Sequence, residues 1–161
     1  MERRWNRALG TVIAGVFLVG LLGGCAEPQV QVPYRAVTDS KQFMNWVLDP
    51  QADVIWGSAG VVSTLEGERD LRPTTQEDWD AVRNAAATIA EAGNLLMMPG
   101  HARAGADWNE ISQGLTAKGM ELVAAAENKD ADAIFELGGH LYNICVACHQ
   151  LYVYPDGDQG E

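Results

Sequence analysis

Cys145-Val146-Ala147-Cys148-His149 ends the last helical stretch of the chain, and only twelve residues follow it. On a helix, thiols at i and i+3 share a face, and the imidazole comes at i+4 from the first. Two thiols so placed can add across the two vinyl groups of a porphyrin while His149 reaches the iron from below. The C-x-x-C-H spacing is that of covalent heme c attachment. A C-x-x-C alone would also serve a thiol redox pair or half a zinc site. Here no second C-x-x-C or H-x-x-x-H supplies further ligands, and no βαβ pattern suggests a thioredoxin-like setting. One covalent heme c is therefore expected, bound through Cys145 and Cys148, with His149 as its proximal iron ligand.

Working back along the same helix, Ile134, Leu137 and Leu141 share the face of the two cysteines. Gly138-Gly139 stands inside it, although each glycine costs about 1 kcal/mol against alanine. Close approach to a macrocycle or a neighbouring helix explains the pair, and so does a local break. Asn128-Lys129-Asp130 separates this helix from a third, which starts at Asp107 with Trp108, Ile111, Leu115, Gly119 and Leu122 on one stripe. The second opens at Thr74 or Thr75, with Glu77 and Asp78 placed as capping-box acids. Its apolar residues fall at Trp79, Val82, Ala86, Ile89, Gly93 and Leu96, the seam of a packed helix, and Met98-Pro99-Gly100 stops it.

The first helix begins at Asp39 or Ser40 and carries Phe43, Met44, Trp46, Val47 and Leu48. Asp49-Pro50 predicts a kink or a restart, after which Val54, Ile55, Ala59 and Val62 continue the apolar face. Gly67 to Pro73 reads as a polar loop, and no segment has the period of a strand. The expected fold is all-α: an antiparallel four-helix bundle with short connections and heme c near the end of its last helix.

Such a bundle, with C-x-x-C-H at its far end, resembles the class II cytochromes c, the cytochrome c-prime family. The resemblance covers residues 39–152, and its one specific motif is the last. Class I cytochromes c instead carry the motif near the N-terminus and take a methionine from downstream. Residues 150–161 here contain no Met, His or Lys, so a sixth ligand from this chain must lie upstream. The resemblance implies that ligand: in low-spin members a methionine early in the first helix caps the iron, and Met44 falls there. High-spin members have an apolar residue instead and bind NO or CO at an open site. Met44 could also be a core residue filling space between Phe43 and Val47.

Other donors fit less well. Met97 and Met98 read as packing around the Pro99 turn, Met120 lies beside the third stripe, His101 reads as a solvated loop residue, His140 as a surface residue, and Lys41 would need unusual geometry. The family pattern continues to an aromatic and then a basic residue. Tyr152 matches, whereas Val153 replaces the basic residue, which by itself lowers the reduction potential. Trp46, Trp56, Trp79 and Trp108 are expected mostly in the core, although some could shield the heme.

At the other end, Arg3, Arg4 and Arg7 precede an apolar run over 8–22. That run falls short of the about 20 residues of a membrane span. It leads into Leu22-Gly23-Gly24-Cys25, which resembles the bacterial lipobox, cleaved before a cysteine that carries lipid. An ordinary signal peptide with a stray cysteine is the alternative. Of three cysteines the heme takes two, leaving Cys25 for the lipid. The expected organisation is a lipoprotein signal peptide (1–24), a lipid-anchored tether containing Pro28 and Pro33 (25–38), the cytochrome domain (39–152) and a C-terminal tail (153–161). Heme c is attached outside the cytoplasm to an unfolded chain, which fits unfolded export better than the twin-arginine route that Arg3-Arg4 suggests. Ala26, not aspartate, follows the cysteine, which by resemblance to bacterial lipoproteins implies the outer over the inner membrane, on the periplasmic side of a Gram-negative cell.

The 161 residues carry 11 basic and 22 acidic side chains; without Arg3, Arg4, Arg7 and Glu2 the mature chain has 8 and 21, a net charge of −13. That surface disfavours nucleic acid and suits a redox partner with a basic docking patch, or serves solubility alone. The expected function is one-electron transfer; the alternative is a gas-binding protein that sequesters or senses NO or CO. No acid–base or nucleophile constellation points to an enzyme. By resemblance the chain is also a possible homodimer.

Overall fold

The computed structural model describes residues 34–154; the expected signal peptide, Cys25, tether residues 25–33 and tail residues 155–161 lie outside the described residues. Helix α1 (Ser40–Phe43) starts at Asp39, whose carboxylate accepts the Gln42 backbone N–H at 2.8 Å. The Gln42 side-chain oxygen accepts the Asp39 N–H at 3.1 Å in return, a reciprocal cap. The chain then widens into a π-helical turn (Met44–Leu48) and continues without a break as α2 (Asp49–Trp56). In the wide turn the Asp49 N–H donates to the Met44 carbonyl, five residues back. Pro50 has no N–H to give, so the ladder is re-registered where an α-helical bond to Trp46 would be missing. The sequence pointed to a kink or restart here; the outcome is a change of winding within one continuous rod.

After α2 the structure departs from the all-α expectation. Gly60, at φ 94°, turns the chain into a β-hairpin, β1 (Val61–Thr64) and β2 (Gly67–Asp70), paired antiparallel with Val61 opposite Asp70 and Thr64 opposite Gly67. All eight strand residues are exposed. Val62 thus belongs to a strand and not to the apolar face of a helix, and part of the expected polar loop is the second strand. Among the described residues the fold is mostly helical, with four helical rods and this small sheet.

Helix α3 (Gln76–Leu96) is capped by Thr75 and Asp78: the Asp78 N–H donates to Thr75 Oγ1 at 3.1 Å, and the Asp78 carboxylate accepts the Thr75 N–H at 3.0 Å. Its whole expected seam, Trp79 to Leu96, is buried. Helix α4 (Ala106–Glu127) buries Trp108, Leu115, Gly119 and Leu122, while Ile111 stays half-exposed. The Trp108 indole N–H donates to the Leu96 carbonyl at 2.7 Å, satisfying an end group of α3. Helix α5 (Ala131–Tyr152) starts at Asp130, which accepts the Ala133 N–H at 2.9 Å, and runs unbroken through Gly138-Gly139.

Helices α3 and α4 form the closest pair. A Cβ at Gly119 would lie 2.6 Å from the Ala90 backbone nitrogen, and one at Gly93 would lie 2.6 Å from the Ser112 carbonyl oxygen. Backbone there meets backbone. Helix α5 packs on α4, and α2 packs on both α3 and α5. Among the described residues no helix is long and apolar enough to cross a membrane.

Candidate functional site

The i, i+3, i+4 spacing on α5 carries Cys145, Cys148 and His149 to one cavity of about 450 Å³. Met44 and Leu48 from the π-helical turn and Ala52 from α2 line it too. Ile89, Leu96, Leu115 and Leu141 make much of the remaining lining apolar. The volume lies within the range of about 300–1,000 Å³ usual for small-molecule and cofactor sites. Met44, Cys145, Cys148 and His149 are all half-buried. The geometry therefore brings together four of the five residues singled out in the sequence; the fifth, Cys25, lies outside the described residues.

Two aromatic contacts frame the motif. Trp56 donates its indole N–H to the Gly138 carbonyl at 3.0 Å and meets Tyr142 edge-on at 6.1 Å, joining α2 to α5 one side of the cavity. Gly138 thus serves close approach between helices, since a Cβ there would already touch the Trp56 ring at 3.4 Å. At the end of α5, Tyr152 stands edge-on to Trp108 of α4, with ring centroids 4.9 Å apart. Val153, at the position where the family pattern has a basic residue, is exposed.

Cys145 and Cys148 are free thiols, each half-buried. Burial pushes the Cys145 thiol up from 9.0 to about 11, with smaller contributions from Cys148 and Asp49. Burial also raises Cys148, opposed by the positive charge of Arg103. At neutral pH the heme-free fold thus holds neutral thiols, as an apolar cavity requires.

A pH effect follows. An unfolded chain releases the Cys145 proton near 9.0, the folded chain near 11, so between them the folded state binds more protons and loses stability as pH rises. Urea unfolding of the heme-free protein should show a loss of about 2 kcal/mol between pH 8 and pH 10.5 in excess of the loss in Cys145→Ser. A heme-bearing protein, whose sulfur is a thioether with no proton to release, should show no such excess. Equal slopes in the heme-free native chain and the serine variant would refute the buried-thiol account.

Several sequence expectations need correction. His101 is buried against Phe43, with ring centroids 4.8 Å apart, and is not the solvated loop histidine expected. Trp46 is 64% exposed, outside the core, whereas Trp79 and Trp108 are buried as expected. Trp56, also expected in the core, is 36% exposed and links α2 to α5; residues the sequence did not mark for the site are Asp49 beside Cys145 and Arg103 near Cys148. Among the described residues no group of three or more His, Cys, Asp or Glu is gathered for a metal ion. Compared with protein-family models, curated proteins and solved structures, the chain gives no match.

Proposed function

We propose that the chain is a lipid-tethered, periplasmic monoheme c-type cytochrome that transfers single electrons. One observation carries this reading: Cys145, Cys148 and His149 line the same largely apolar cavity as Met44, which comes from a different helical rod. Cys145 and Cys148 would hold a heme through two thioethers, and His149 would bind its iron. When bound, the heme supplies an iron that accepts and returns one electron. The four rods would act as an antiparallel four-helix bundle whose apolar side chains exclude water from that iron, and Met44 would help hold it through its thioether. Cys25 carries the lipid. The acidic surface favours a redox partner with a basic patch.

The test is the absorption spectrum of the mature, heme-bearing protein in both oxidation states, with and without CO or NO. Sharp low-spin bands, with a ferric methionine–iron charge-transfer band, are expected. Met44→Ala should abolish that band entirely, open the site to gas and lower the reduction potential, because a thioether favours the reduced iron. Broad high-spin bands and ready gas binding by the native protein would instead remove Met44 as ligand and favour the gas-binding function. A mature chain that takes up no heme would end both readings.

A further inference from the structure

A cation far in sequence from the motif touches two of the rods that border the cavity. Arg103 sits in the loop between α3 and α4 and donates from its guanidinium to Ser40 Oγ at 2.9 Å, at the start of the rod that carries Met44. The same guanidinium lies 6.0 Å from the centre of the Trp108 ring, at the outer range of a cation–π contact. Trp108 in turn packs on Tyr152, one helical turn beyond Cys148. Arg103 is thus held between the Met44 rod and Trp108, which packs on the cysteine-bearing end of α5. Asp49, of the opposite charge, lines the cavity itself.

We propose that Arg103, fixed between Ser40 and Trp108, is the positive charge that raises the reduction potential of the heme, in the role that Val153 leaves empty. This rests on the heme reading. Reduction adds one negative charge at the iron, and a fixed cation nearby favours the added electron. Arg103 is exposed, so salt screens its effect.

The experiment is a redox titration of the mature, heme-bearing protein and its variants against a one-electron mediator, at low and high salt. Arg103→Gln should shift the equilibrium about three- to tenfold toward the oxidised protein at low salt, the upper figure corresponding to 59 mV, and less at high salt. Arg103→Lys should keep most of the native potential, and absorption spectra should be the same in all three proteins. An unchanged potential in Arg103→Gln overturns the proposal while leaving the cytochrome reading intact. So does an equal fall in Arg103→Lys, which would make packing and not charge the cause, or a spectral change, which would place the effect on the iron ligands. A native chain without covalent heme overturns the cytochrome reading itself, and the role of Arg103 with it.

Discussion

Replacing both Cys145 and Cys148 with serine should leave a protein whose heme is extracted completely by acidified organic solvent, while the native chain keeps its heme through the same treatment. The two sulfurs lie one helical turn apart on α5 and line the cavity with His149. Each S–H would add across one vinyl double bond, leaving a thioether that acid does not break. Serine offers a hydroxyl that is a far weaker nucleophile, so only the His149–iron bond and apolar burial would remain. Either single variant should retain heme through one thioether. The measurement is the heme colour left on the denatured polypeptide. Complete extraction from the native chain would end the covalent reading.

The largest effect on stability is expected at Gly119. An added Cβ would meet the Ala90 backbone nitrogen at 2.6 Å and its Cα at 2.8 Å, and a backbone cannot swing aside as a side chain can. Helices α3 and α4 would have to part along their closest line. Gly119→Ala should therefore cost about 3 kcal/mol, at the upper end of overpacking effects, and lower the melting temperature by roughly 10 °C. Gly114→Ala, in the same helix with nothing within 4 Å of its added carbon, should stabilise by about 0.5–1 kcal/mol. Thermal unfolding of the two variants side by side separates the effect of contact from that of helix propensity. Equal melting temperatures would remove the close approach of α3 and α4.

Much of the helical frame was legible because local chemistry and tertiary packing agree. Asp39, Thr75 with Asp78, and Asp130 each satisfy N–H groups that a helix start leaves free, whatever surrounds them. The seam from Trp79 to Leu96 is one face of a regular helix, so its spacing maps directly onto burial. The hairpin was not legible in the same way. Both of its faces are exposed, so Val61 to Asp70 shows no alternation, and only β-branched residues before Glu66-Gly67 hint at strands.

The π-helical turn was hidden for another reason. It shifts the helical phase between Phe43 and Ala52, successive buried residues nine apart, and a fixed period cannot register a change of winding. That shift turns Trp46 outward. His101 escaped notice because its burial depends on Phe43, distant in sequence. In the site, the three motif residues announce themselves by spacing. The placement of Met44 on the same cavity depends on how two rods pack, and Trp56 and Arg103 act through partners that no local pattern links to them.

The backbone contact between α3 and α4 also bears on which positions of this protein can drift. Where two main chains touch, every larger residue is refused, so Gly93 and Gly119 admit almost no variation. The cavity is bordered by side chains of the π-helical turn, α2 and α5 as well as by apolar ones of α3 and α4, and α2 is tied to α5 by a hydrogen bond from the indole of Trp56. Changes at Leu48 or Ala52 alter the volume of a space instead of colliding with a main chain. Mutational freedom is therefore divided along the fold: nearly none on the zipped side, and most of it around the cavity. A lineage of such chains can reshape the cavity many times while the glycine seam stays fixed.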